Sequence, residues 1–160
     1  MSKIAVVYWS GTGNTEAMAN KIAEGARSAG AEAAVLTCSE FDAGKVADYD
    51  AIAFGCPAMG SEQLEEDEFE PMFESCKAAL KGKRIALFGS YGWGDGEWMR
   101  TWENTAKGYG AVLAGESVIC PDAPDEEAQA ACEALGKAPT YYNATQPPLY
   151  KGRLCRIFIH

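Results

Sequence analysis

At 160 residues the chain is long enough for one well-buried domain and too short for two ordinary ones. Its formal charge of −9 understates the acidity of its body: residues 1–138 hold 11 basic and 23 acidic side chains, while the last 22 residues carry Lys151, Arg153 and Arg156 and no acid. Such a body repels nucleic acid and anionic membrane surfaces and attracts a basic docking patch on a protein partner, and its six spread cysteines, with no Cys-x-x-Cys pair and a single histidine at the chain end, offer no zinc or iron–sulfur ligand set and read as reduced thiols.

The apolar run Ile4-Ala5-Val6-Val7-Tyr8-Trp9 predicts a buried strand over 3–9 that runs straight into Ser10-Gly11-Thr12-Gly13-Asn14-Thr15. Glycines let the backbone curl so that successive N–H groups converge, the next helix presents its positive end, and Ser10, Thr12 and Thr15 add hydroxyls, which together make a phosphate cradle. The segment has neither the Lys of a Walker A loop nor the three-glycine spacing of a dinucleotide fingerprint. The same residues also suit a plain strand-to-helix turn capped by Asn14 or Thr12. A helix follows over 14–29, with Ala17, Met18, Ile22 and Ala26 on one apolar face and Gly30 at its end.

Next come a strand at 32–37, a loop with a short helix around 42–48 and a strand at 50–55. The loop Pro57-Ala58-Met59-Gly60-Ser61-Glu62 then opens an acidic run to Glu70, and Pro71 allows either a regular helix over 70–80 with proline in its first turn or a bend there. Gly82 precedes a strand at 84–89, which ends in Ser90-Tyr91-Gly92-Trp93-Gly94-Asp95-Gly96 before a helix at 96–107. A fifth strand is expected at 111–119, and Asp125 is placed to cap a last helix running to about Gly136. Five alternating βα units predict a parallel sheet between layers of helices, with three Gly-rich loops at the rim where open α/β sheets bind ligands.

Taken together, Val7 to Glu16, Ala58-Met59-Gly60 and Phe88 to Gly96 resemble the short-chain flavodoxins of anaerobic bacteria, and the likeness runs over about residues 3–138. The resemblance implies a flavodoxin-like α/β three-layer sandwich with a five-stranded parallel sheet of order 2-1-3-4-5. It also implies non-covalently bound FMN and a low-potential one-electron carrier that shuttles electrons between redox proteins without substrate turnover of its own. Ser10, Gly11, Thr12, Gly13, Asn14 and Thr15, with Ser90, are then expected around the phosphate. Pro57, Ala58, Met59, Gly60, Ser61 and Glu62 form a second cofactor loop, and Ser90, Tyr91, Gly92 and Trp93 a third. The family likeness puts Met59 on the inner face of the ring, Trp93 on the outer face and the Glu62 carboxylate on the ring N3–H. It lets the peptide after Gly60 turn over on one-electron reduction to hold a neutral semiquinone. Trp93 lies between two glycines, off any helical or strand period, which suits a plate over a ligand; Trp9, Trp98 and Trp102 have no such setting and read as packing, and Tyr91 fits either role.

Two other readings differ at named residues. A nicotinamide-dependent flavin or quinone reductase needs space over the outer ring face, which Trp93 would fill, and a receiver-like signalling module needs an acid at the rim of the first strand, where Trp9-Ser10-Gly11 has none. No charged-then-apolar leader or membrane-length run is visible, so a cytoplasmic location is expected. A monomer is expected as well. Residues 1–138 form the expected FMN-binding domain. Pro139 is expected to stop the last helix and begin an extension over 139–160 outside the core, whose segment Leu154 to Ile159 fits an edge strand, a partner-binding tail or residues of foreign or frame-shifted origin.

Overall fold

The computed structural model describes residues 2–141. Expectations placed on 142–160, the segment Leu154 to Ile159 included, lie outside the described residues. In chain order the elements are β1 (Lys3–Tyr8), α1 (Asn14–Ser28), β2 (Glu32–Thr37), β3 (Ala51–Gly55), α2 (Phe69–Ser75), β4 (Arg84–Tyr91), α3 (Glu97–Gly108), β5 (Val112–Leu113), β6 (Val118–Pro121) and α4 (Glu126–Tyr141), with 3-10 turns at Cys38–Glu40, Ala43–Asp48 and Lys77–Leu80. All strand pairs are parallel and the order is β2-β1-β3-β4-β5, with β6 also on β4, so the expected 2-1-3-4-5 arrangement is present.

Period-two alternation divides the central strands between two cores. Ala5, Val7, Ile52, Phe54, Ile85 and Leu87 face an aromatic-rich layer with Phe69, Phe73, Trp98 and Trp102. Val6, Tyr8, Ala53, Ala86 and Phe88 face Met18, Ile22 and Leu135 from α1 and α4. Burial on both faces explains why β1, β3 and β4 read as continuous apolar runs, while β2, at the sheet edge, is only half-buried.

The helices α1 and α4 touch backbone to backbone. A Cβ on Gly25 would lie 2.1 Å from the Glu133 carbonyl oxygen, and one on Gly136 would lie 2.0 Å from that of Ile22. Just past the end of α1, Gly30 takes a φ of 92° that lets the Ala31 N–H return to the Ala26 carbonyl at 3.0 Å. The Asp125 carboxylate accepts from the Ala128 N–H at 2.8 Å, as its capping position predicts.

Three boundaries differ from expectation. The fifth strand is two pieces: Leu113 pairs with Ile85 and Val118 with Phe88, so five steps along one strand meet three along the other, and two extra residues loop out around Gly115. Pro71 stands third in α2, in the first turn where its missing N–H costs nothing, but the helix stops at Ser75 and finishes as a 3-10 turn. The last helix continues through Pro139 to Tyr141, the last described residue, so Pro139 does not stop it.

Five thiols, Cys38, Cys56, Cys76, Cys120 and Cys132, are free and buried. Burial pushes Cys38 and Cys120 up to about 11 and Cys56, Cys76 and Cys132 up as well, so all five are unreactive at neutral pH. No helix is long and apolar enough to cross a membrane among the described residues.

Candidate cofactor site at the strand rim

The β1 ladder extends one residue past the strand, with the Trp9 N–H on the Gly55 carbonyl at 3.0 Å, and the chain then curls into the loop before α1. Ser10 Oγ accepts from the N–H groups of Gly13 at 3.0 Å and Glu16 at 3.3 Å, which bends the loop around its hydroxyl and leaves the Ser10 O–H to donate outward. Gly13 occupies the cap position at φ 95° and has no side chain to cap with, so neither Asn14 nor Thr12 takes that role, and within the helix Ser10 serves only the Glu16 N–H. The first intrahelical bond is Ala17 N–H to the Gly13 carbonyl, and the N–H groups of Asn14 and Thr15 therefore have no intrahelical acceptor. They open toward the loop at the positive end of a 15-residue helix. Gly11 and Thr12 are exposed beside them.

Thr15 and Ser90 meet each other. Both are buried, their hydroxyl oxygens lie 3.1 Å apart, and the Ser90 N–H also donates to Thr15 Oγ1 at 3.4 Å. One hydroxyl of the pair donates to the other, so the two together have a single O–H left for a ligand.

The loop after β3 is a small hairpin. Met59 and Gln63 exchange both backbone bonds, at 2.8 and 3.0 Å, with Gly60 at φ 48° and Glu62 at φ 55° between them. Pro57, Ala58 and Met59 are half-buried, Gly60 and Ser61 are exposed, and the Ala58 N–H donates to the Ser90 carbonyl at 3.0 Å. The Glu62 carboxylate reaches the third loop, where its Oε1 accepts from the Glu97 N–H at 3.2 Å and so serves the N-terminus of α3. Gly94 passes close over it: a Cβ there would lie 2.5 Å from Glu62 Oε1.

In the third loop Gly92, Trp93 and Gly94 are exposed, and Trp93 leaves 64% of its surface in solvent. Tyr91 is half-buried, its ring tilted on Trp98 with centroids 5.5 Å apart. Trp98 itself donates from its indole N–H to the Cys56 carbonyl at 3.2 Å, and with Trp102 it is core, as its position predicts.

Trp9 was not expected at the site. Its indole lies against Gly11, where a Cβ would come within 3.1 Å of Cη2, and its Nε1–H donates to Glu68 Oε2 at 3.1 Å. It lines a cleft of about 410 Å³ with Tyr8, Ser10, Gly11, Glu16, Thr37 and Glu68 among others. The Tyr8 O–H donates to Glu16 Oε2 at 2.7 Å, and that bond, with burial and the nearby carboxylates, pushes the phenol up to about 12. The available signals for Trp9 were its step next to Ser10 and the carboxylates of the 62–70 run.

Two parts of the arrangement suit FMN, while the Glu62 carboxylate, expected on the ring N3–H, is instead on the Glu97 N–H. The Asn14 and Thr15 N–H groups at the helix end and the Ser10 and Thr12 hydroxyls suit a terminal phosphate dianion, which such donors hold without a basic side chain. A large exposed indole between two glycines suits a flat ring. No group of three His, Cys, Asp or Glu side chains able to hold a metal occurs among the described residues.

Comparison with known proteins agrees with this geometry. Residues 6–136 match the flavodoxin family profile. The chain is 45% identical over 135 residues to the flavodoxin of Megasphaera elsdenii, covering 84% of this chain and 96% of that one. It is 46% identical over 132 residues to that of Clostridium beijerinckii, covering 82% and 95%. The solution structure of two-electron reduced Megasphaera elsdenii flavodoxin superimposes with a TM-score of 0.81 at 44% identity, covering 87% of this chain and 99% of that one. The chain belongs to the flavodoxin family of FMN-binding electron-transfer proteins.

Proposed function

We propose that residues 10–15, 57–62 and 90–93 hold FMN as the three loops of one site, and that the protein works as a low-potential carrier between redox proteins. FMN, when bound, supplies one-electron chemistry. The chain supplies the rest. Asn14 and Thr15 N–H groups and the Ser10 and Thr12 hydroxyls would bind the phosphate, Trp93 and Met59 would enclose the ring, and the Gly60 carbonyl would turn to accept a hydrogen bond from a ring N–H. The Gly13 end of α1, where the Asn14 and Thr15 N–H groups have no intrahelical acceptor, carries this reading most directly.

Low potential follows from charge. A phosphate held without Lys or Arg, inside a body of −12 over residues 1–138, keeps a negative field that disfavours further negative charge on a bound ring. The same acidity selects partners with basic patches and makes their encounter faster at low salt. Like charge over the surface opposes self-association and supports a monomer, which we place in the cytoplasm.

The test is a titration of the FMN-free full chain with FMN and with riboflavin. Tighter binding of FMN is expected, because the cradle is built for the terminal phosphate. Equal affinities would remove the assignment of residues 10–15.

A further inference from the structure

The three loops are tied to one another in pairs: the first to the third by Thr15 and Ser90, the second to the third by Glu62 on the Glu97 N–H, and the first to the segment after the second by Trp9 on Glu68. The last tie joins residues 59 apart in sequence, and both of its ends are anchored. The Trp9 backbone is fixed to Gly55 of β3. Glu68 sits in a turn whose N–H groups, those of Asp67, Glu68 and Phe69, all donate to the Glu65 carboxylate at 2.8 Å. Between these anchors the indole presses on Gly11, so the bond to Glu68 sets how the ring leans on the phosphate loop.

We propose that Trp9 is a positioning residue for the phosphate loop, and that its indole N–H on Glu68 holds the ring so that it braces the Gly11 backbone and keeps the loop N–H groups convergent. A carboxylate near a phosphate site opposes the dianion, so the charge of Glu68 gives the cofactor nothing. What Glu68 gives is an acceptor. The effect is therefore confined to the phosphate: it sharpens discrimination between FMN and riboflavin and leaves the ring contacts alone. The proposal rests on the assignment of residues 10–15 to the phosphate.

The experiment is a double-mutant cycle on the full chain, titrated with FMN and riboflavin. Trp9→Phe keeps an aromatic ring over Gly11 and removes the N–H; it is expected to raise the FMN dissociation constant about fivefold, the scale of one hydrogen bond, with riboflavin changed less than twofold. Glu68→Gln keeps an acceptor oxygen, and Trp9→Phe should loosen FMN as much in that background as in the wild type. Glu68→Leu removes the acceptor, and Trp9→Phe should then change nothing further. Loosening that persists in Glu68→Leu, or that is equal for FMN and riboflavin, overturns the proposal. If the Trp9 variant does not fold, Glu68→Leu alone decides: amide exchange at Gly11 and Gly13 of the FMN-free chain should quicken, and unchanged exchange overturns the bracing role. A wild type without preference for FMN removes the phosphate assignment itself, whereas a preference that survives Trp9→Phe intact removes only the role of Trp9.

Discussion

Trp93 leaves 64% of its surface in solvent, whereas Trp98 and Trp102 leave 1% each. Folding gains little from so exposed a ring, but a ligand that covers it gains the whole stacking area. Trp93→Ala should therefore weaken FMN binding by roughly one to two powers of ten, from about 1–3 kcal/mol of lost stacking and burial, while unfolding stability stays within about 0.5 kcal/mol. Flavin fluorescence titration and urea unfolding give the two numbers, and an unchanged dissociation constant takes Trp93 off the ring. Gly60 is a backbone case. At φ 48° a Cβ would meet nothing within 4 Å, so a β-branched substitute is penalised by conformation alone. If the positive-φ turn is favoured on reduction, Gly60→Thr costs that form about 1–2 kcal/mol and lowers the first one-electron potential by about 45–90 mV. Loss of stability at an unchanged potential would mark a static turn.

At the scale of elements, the Glu65 carboxylate is the anchor of the segment that enters α2. Burial alone would raise it, but the N–H groups of Phe69, Glu68 and Asp67 outweigh that and hold it below the usual carboxylate range. A depressed carboxyl contributes stability that is present above the unfolded value, about 4.3, and is lost as pH falls through the folded one. Acid unfolding should thus steepen below about pH 4.3, and Glu65→Gln should flatten that limb in stability curves measured against pH; an unchanged slope sets the anchor elsewhere. Most elements were readable beforehand because their cause is local: apolar runs for β1, β3 and β4, Gly30 after α1, Asp125 before α4. The break between β5 and β6 was not, since it depends on how many residues β4 sets opposite, which only pairing decides. The three candidate loops were legible from glycine and hydroxyl spacing, and the structure brings them to one rim. The mutual engagement of Thr15 and Ser90 and the place of Trp9 were not legible, because each depends on a partner 59 or more residues away.

For the molecule as a whole, the family match ends at Gly136 while α4 is described to Tyr141, so a cut after Tyr141 keeps the described helix whole where one at 138/139 divides it. A chain ending at Tyr141 is expected to keep its FMN affinity and its flavin spectrum, since all three loops and both cores lie before the cut; an unfolded product would place later residues in the core. That helix matters to the site at a distance. Where Gly25 and Gly136 bring two backbones into contact there is no side chain to yield, so motion of α1 is expected to carry α4 with it. A ligand that steadies the first turn of α1 should thereby steady a helix it never touches. Hydrogen exchange in α4 should slow when FMN binds at the far end of α1, and α4 amides indifferent to FMN would show that the two helices, though in contact, open independently.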